Sequence, residues 1–462
     1  MGNVHAKAPT EPELKGVKTS SAPAAKKDDI FVKFDKLPVR VQRVVVDGLT
    51  RTKDDIIIKE VKPLLSAKTF DELVQLSYNA KVKMERLGLF KNVVIAFDVS
   101  KDKRENGYEV LFEVSEFRRV RSGGIHTEIS NNDGSLILGM QMPNIFGRGE
   151  KLDLHYIIGT KRTHGYKAHL KKPLNNNPDI YMGALAFQSH GEYPWSGYKQ
   201  TDRGFALDLT FPTMFGSHNL QWEGVWRDLR ALSRETSFSV REQAGHSLKS
   251  SLKHTFSIDT RDDRILPTTG TLWQTCQEYA GIGGNVEFAK QDGTFQWNTS
   301  LIWDTIFQVS LAGGVMRPLD PKASVNINDR FFLGGPLTLR GFNLHGCGPH
   351  SHENALGAEA YWLAAAHIYS PLPFRPGKGR FGDFFKTHFF VNAGNLGSLD
   401  FNDLNGSVRG LGETMRWSYG MGLVLYLGGM ARLELNYVIP MRVQKGDKVN
   451  PGLQFGIGIN FL

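Results

Sequence analysis

The chain has 462 residues, 40% of them hydrophobic and 22% charged, which gives ample core for one or more domains and excludes disordered or collagen-like classes. Two cysteines, Cys276 and Cys347, exclude a disulfide framework, and the net charge of +9 is scattered along the chain rather than gathered into a nucleic-acid-binding stripe. No run of about 18 apolar residues occurs, so membrane-spanning helices are excluded, whereas membrane-spanning strands, which alternate, are not.

Residues 1–38 are rich in Lys, Ala, Pro, Thr and Ser, and the reading there is a disordered tail. The tail has no apolar signal-peptide core, and Ala6 breaks the myristoylation pattern that Met1-Gly2 begins, so any targeting information is expected to be internal. A module over 39–118 follows. Val41 to Val46 reads as a strand that stops at Asp47-Gly48, and Thr52 with Asp55 predicts a capping box for a helix to about Lys62. A second box, Thr69 with Glu72, opens a longer helix whose Leu73, Leu76, Ala80, Met84 and Leu87 share a face, with Gly88 placed to end it. Two strands, Val93 to Val99 and Tyr108 to Val114, supply the sheet that this face needs, for a β-α-α-β-β order.

From 119 to 462 helical periodicity nearly vanishes, and short alternating segments separated by glycine-rich turns replace it. The last three are the clearest. Tyr419, Met421, Leu423, Leu425 and Leu427 alternate with Gly420 and Gly422; Ala431, Leu433, Leu435, Tyr437 and Ile439 alternate with Arg432, Glu434 and Asn436. Leu453, Phe455, Ile457, Ile459 and Phe461 then oppose Gln454, Gly456, Gly458 and Asn460. One greasy and one polar face, sustained over about 340 residues, predict an all-β transmembrane barrel of about sixteen antiparallel strands.

Catalytic signatures are incomplete. Leu356 stands where His352-Glu353 would need a second zinc-binding histidine, Lys249 spoils a nucleophile elbow at His246-Ser247, and Gly377-Lys378-Gly379 is no P-loop. His345, Cys347, His350 and His352 lack paired metal-ligand spacing. No enzyme activity, metal or cofactor is therefore expected.

A further set of motifs is more specific. Arg330-Phe331-Phe332-Leu333-Gly334-Gly335, followed by Leu339-Arg340-Gly341-Phe342, resembles the loop signature of the barrel-assembly superfamily, whose bacterial member is BamA. Asp259-Thr260-Arg261 with Pro267-Thr268-Thr269-Gly270, Gly357-Ala358-Glu359, Val391-Asn392-Ala393-Gly394-Asn395 and Trp417-Ser418-Tyr419-Gly420-Met421-Gly422 match the family's other motifs in its order. Leu87-Gly88-Leu89-Phe90 and Phe112-Glu113-Val114-Ser115-Glu116 are similar to its POTRA module, and a single such module points to the mitochondrial branch, the core of the sorting and assembly machinery.

The resemblance implies a loop around 330–350 that folds into the barrel, with Arg340 held by an acidic group of the wall. Because Asn392 stands where bacterial relatives place an aspartate, Glu359 becomes the candidate counter-charge. It also implies a lateral seam between a first strand at Arg121 to Ser130, with Gly123, Gly124 and Ile125, and the last strand, Leu453 to Leu462. That last strand resembles the family's β-signal through Gln454, Gly456, Ile457, Ile459 and Phe461. The implied function is insertion of β-barrel precursors into the mitochondrial outer membrane. Implied partners are precursors, accessory subunits of a sorting and assembly complex, membrane lipids and an inner-membrane cristae-organising complex. The alternatives are a passive channel or translocation pore, and a POTRA-mediated scaffold for inner-membrane contacts.

Overall fold

The computed structural model describes residues 37–99, 106–118, 120–130, 133–159, 162–320, 324–373, 381–428, 431–459 and 461. All but the last two residues of the expected tail lie outside them; Pro38 is already tied by a bridge to Thr69.

The first elements are β1 (Arg40–Asp47), α1 (Asp54–Val61), α2 (Phe70–Arg86), β2 (Phe90–Val99) and β3 (Gly107–Glu116), so the β-α-α-β-β order stands, with a 3-10 turn between the helices. The sheet order is β1-β3-β2, with β1 parallel to β3. Leu73, Ala80, Met84, Val93, Val110 and Phe112 are buried to 2% exposure or less, the amphipathic faces read from the sequence. Thr69 accepts from the Glu72 amide at 3.3 Å, and the Glu72 carboxylate accepts from the Lys68 amide at 2.9 Å, so the second box forms one residue out of its ideal register. The first does not form. The Thr52 hydroxyl instead accepts from the Asn144 side chain at 2.8 Å, while the Thr52 amide is taken by Glu116 at 2.9 Å. Compactness divides the chain into two units: one holds residues up to Gly48, Ile57–Lys83 and Val93–Val114, the other Leu49–Ile56, Met84–Asn92 and Ser115–Leu462.

The second unit carries one antiparallel sheet of sixteen strands in sequential order. They are β4 (Arg121–Ser130), β5 (Asp133–Pro143), β6 (Lys151–Gly159), β7 (His164–Leu174), β8 (Asn177–Tyr193), β9 (Tyr198–Pro212), β10 (Ser217–Ala231) and β11 (Gly245–Asp259). The rest are β12 (Gly270–Gly284), β13 (Phe288–Ser300), β14 (Ile306–Pro318), β15 (Ala360–Pro371), β16 (Phe385–Gly397), β17 (Arg416–Tyr426), β18 (Arg432–Arg442) and β19 (Gly452–Gly458). The connections after β14 and β16 are the longest, and both lie at the same end of the barrel as the one after β10. The connection after β16 contains a ten-residue helix, Leu404–Glu413, capped by Asp403, which the sequence reading missed.

Alternation sorts the strands as a membrane barrel requires. Met421, Leu435, Tyr437, Leu453 and Phe455 are each more than half exposed or nearly so, as are Met182, Phe205, Trp273 and Tyr279 on other strands. Their neighbours in sequence, such as Ser418, Arg432, Glu434 and Asn436, are buried. In hydrocarbon this arrangement leaves apolar groups outside and backbone groups satisfied by ladders.

A loop-filled lumen and an unpaired seam as the candidate functional site

The connection between β14 and β15 supplies most of the lumen's packing. Val325, Ile327, Phe331, Leu333, Leu337, Leu339, Phe342 and Cys347 are all at most 8% exposed, and several join wall residues Phe288, Met316 and Leu363 in one apolar cluster. The loop is held at its entry by Asp329, which receives two parallel bonds from Arg227 of β10 at 2.8 and 3.0 Å. Such a bidentate pair fixes orientation as well as position.

At the loop's tip lies Arg340, fully buried. Its Nε and Nη2 donate to Oε2 of Glu434, in β18, at 3.2 and 2.9 Å, and its guanidinium lies over the Phe390 ring at 5.0 Å. The acidic partner of Arg340 is thus Glu434, not Glu359. Glu359 sits where β15 begins and offers its backbone oxygen to Met316, while its charge acts on Arg330. The correction has a simple basis. Alternation had already placed Glu434 on the polar face of its strand, but nothing in the local sequence ties that strand to a loop 94 residues away. Arg432, likewise unassigned from sequence, shares the carboxylate: its Nε is 3.2 Å from Glu434 Oε1, and Asn436 donates to Oε2 at 2.9 Å.

Asn392 touches the loop in a neutral role. With its amide nitrogen turned to Ser418, its oxygen accepts from the Arg340 backbone N–H at 3.0 Å, and the Ser418 hydroxyl donates to the Arg340 carbonyl at 2.6 Å. Gly341 follows in a left-handed conformation, φ +88°, where an added Cβ would stand 3.1 Å from Val438 and 3.4 Å from Pro440 and Ser418. Its N–H donates to Gln454 Oε1 at 3.0 Å, and Gln454 returns a bond to the Phe342 carbonyl at 3.0 Å. Leu339 and Phe342 are fully buried beside it. Leu339, Arg340, Gly341 and Phe342 therefore meet Gln454 of the last strand directly, which joins two of the sequence motifs.

The last strand departs from expectation at its end. β19 stops at Gly458; of the expected strand beyond it, Asn460 and Leu462 lie outside the described residues. Leu453, Phe455 and Ile459 face outward, Ile457 is half-buried, and Gly456 faces the loop, where a Cβ would lie 3.1 Å from Pro336. Phe461 does not continue the greasy face; it is 5% exposed, with its ring 4.1 Å from the Arg432 guanidinium and 5.7 Å from that of Arg340. Gly456 and Gly458 leave the room that this ring fills, and two buried cations give it an electrostatic reason to turn inward. On the other side of the seam, Gly123 and Gly124 form a bulge: pairing with β5 skips from Ser122↔Met140 to Ile125↔Leu138. Among the described residues β4 and β19 have Cα atoms within 8 Å of one another but share no ladder.

A sixteen-stranded membrane β-barrel with a charge-anchored lumen loop and one small α+β module is the class this geometry defines. Residues 144–461 match the Omp85 superfamily domain. The chain is 46% identical over 474 positions to sorting and assembly machinery component 50 homolog A of Xenopus laevis, covering all of both chains. It is 47% identical over 428 positions to the human sorting and assembly machinery component 50 homolog, covering 92% of this chain and 91% of that one. The fold superposes on BamA from Haemophilus ducreyi lacking POTRA domains 1-3 with a TM-score of 0.74 at 18% identity, over 91% of this chain and 84% of the other. The chain belongs to the Omp85 superfamily and, within it, to the sorting and assembly machinery component 50 family.

Proposed function

We propose that this protein inserts and folds β-barrel precursors into the mitochondrial outer membrane, with its POTRA-like module facing the intermembrane space. The observation that carries the reading is the seam. A ten-residue first strand faces a seven-residue last strand with no ladder between them among the described residues, in a setting where unpaired backbone is costly. Such an edge is a template. A precursor strand can pair with it, and successive hairpins can add by β-augmentation, exchanging backbone bonds at little net cost and without nucleotide hydrolysis or any catalysed covalent step. Gln454 gives the loop a hand in this, because it lies in the last strand yet bonds the Gly341 and Phe342 backbone. Family membership supports the reading, since relatives bear the name of a sorting and assembly machinery. The loop buried in the lumen disfavours a passive channel.

The test is import of labelled porin precursor into mitochondria depleted of this protein, with a helically anchored outer-membrane protein as control. Selective failure of porin assembly is expected; normal assembly of both sinks the proposal. A disulfide engineered between β4 and β19 separates insertase from pore, because locking the seam stops assembly but leaves conductance unchanged.

A further inference from the structure

At one stretch of the rim, at the end of the long connections, the outer wall is polar. There, directly paired outward residues of β7 to β11 form a polar row: His164, His190, Thr201, Asp228 and His246. Lys199 and Arg230 pair on its loop side, and Arg203 and Trp226 pair on its membrane side. All of these but His164 line an outward-facing cavity of about 340 Å³. Its one lining carboxylate is occupied: Asp228 holds Arg230 at 2.7 Å and lies 3.6 Å from His246, while Glu192, the cross-strand neighbour of Lys199, is held by Arg162 at 3.2 Å. Two cations are left over. Among the described residues neither Lys199 nor Arg203 forms an ion pair, and the Arg203 guanidinium is held at 5.3 Å over the Trp226 ring while its Nε donates to Gln188 at 3.2 Å.

Arg203 and Gln188 also line a second cavity, a trough of about 620 Å³ that leads toward the middle of the barrel wall. Its floor is shallow because Ala168 and Ala186 are directly paired, and its side is the stacked pair Tyr156 and Tyr166, 4.9 Å apart, with Leu138 beyond. A cation pair at the rim above a narrow apolar trough matches one chemistry: an anionic head joined to a hydrocarbon chain. A protein partner would need no such trough.

We infer that the β7–β11 wall binds an anionic glycerophospholipid, its phosphate against Lys199 and Arg203 and an acyl chain along Ala168 and Ala186. The cation pair lies on β9, whereas the trough reaches Leu138 of β5, which pairs with Ile125 of the seam strand β4; the test does not depend on insertase activity. The full chain is reconstituted in phosphatidylcholine nanodiscs containing phosphatidylinositol, released into detergent, and its retained lipids are counted by native mass spectrometry.

Wild type is expected to retain phosphatidylinositol over phosphatidylcholine by about tenfold, and Lys199→Gln with Arg203→Gln to lose that preference. Arg317→Gln, which removes an exposed arginine stacked on Phe401 at the same end of the barrel, is the control and should keep it. Ala168→Leu with Ala186→Leu fills the trough and should reduce lipid retention at unchanged charge; this pair decides the matter if the charge variant does not fold. Unchanged preference in the glutamine variant, equal loss in the control, or full retention in the leucine variant overturns the inference. So does displacement by soluble glycerophosphoinositol at the lipid's own potency, which would make the site one for a free phosphate ester.

Discussion

The small module and the barrel are built from the same alternation and sort it oppositely. In the module Leu73, Met84 and Phe112 are fully buried, and acids such as Glu109 and Glu113 stay at the surface. In the barrel Arg340, His388 and Glu434 are fully buried, while Leu435, Tyr437 and Phe455 are about half exposed. Periodicity decides that a segment is a strand; the medium on its far side decides which face is hidden. Burying a charge is costly unless it is paired, and the lumen pairs its buried charges as Arg340–Glu434, Arg227–Asp329 and Arg416–Asp447.

The largest effect should come from breaking that pairing. Glu434→Ala leaves Arg340 and Arg432 buried without their shared carboxylate, a loss of about 3–5 kcal/mol. Limited proteolysis of the detergent-solubilised barrel should then cut within 330–350, where wild type is protected. A double change, Arg340→Leu with Glu434→Leu, should restore part of the protection, the remainder being the cost of Arg432 left without its carboxylate; additive damage would mean that Arg340 and Glu434 act separately. Next comes the module's apolar core. Leu73→Ala, which opens a void behind a fully buried side chain, should cost about 2–5 kcal/mol and lower the module's thermal transition without altering the barrel's heat-resistant migration on gels.

The outward face tests the other half of the contrast. Leu435→Lys sets a charge among lipid tails and should cost about 2–4 kcal/mol in membrane refolding titrations, although the same change on an exposed module position such as Val74 is worth little. If both substitutions behave alike, the 47% exposure of Leu435 is to water rather than hydrocarbon.

These opposed faces explain what was legible beforehand. Alternation along Arg432 to Ile439 carried the barrel and the inward side of Glu434, because a period of two is a local property, whereas the strand number came from the length of the alternating region. The partner of Arg340 was not legible. Choosing between Glu359 and Glu434 depends on which strand passes beneath a folded-in loop, a distance of 94 residues with no local trace. Phe461 failed for a related reason: as the fifth apolar residue of an alternating run it reads as lipid-facing, and only the void above Gly456 and Gly458, with Arg432 beside it, turns it inward. Thr52 with Asp55 fits a capping box locally, yet Glu116, 64 residues on, competes successfully for the Thr52 amide.

Glu116 sharpens the comparison at its mildest, because its carboxylate is held mainly by amide and hydroxyl donors, with the partly exposed Arg51 guanidinium at 3.2 Å, rather than by a fully buried cation. Burial works to raise its pKa, but the amides of Thr52 and Arg51 and the hydroxyl of Thr50 all donate to it and prevail, holding it at about 2 against the ordinary 4.5. A depressed carboxyl stabilises the folded state above its unfolded value and loses that contribution as acid protonates it. The stabilisation should therefore be complete above about pH 5 and fade between about pH 4.5 and 2, by about 2 kcal/mol after allowance for solvent screening. Glu116→Gln should remove this pH dependence from proteolytic protection of the 49–56 segment and lower that protection at neutral pH. An unchanged acid profile in the variant would mean that other carboxylates govern the segment and that the Thr50–Thr52 turn holds its shape without Glu116.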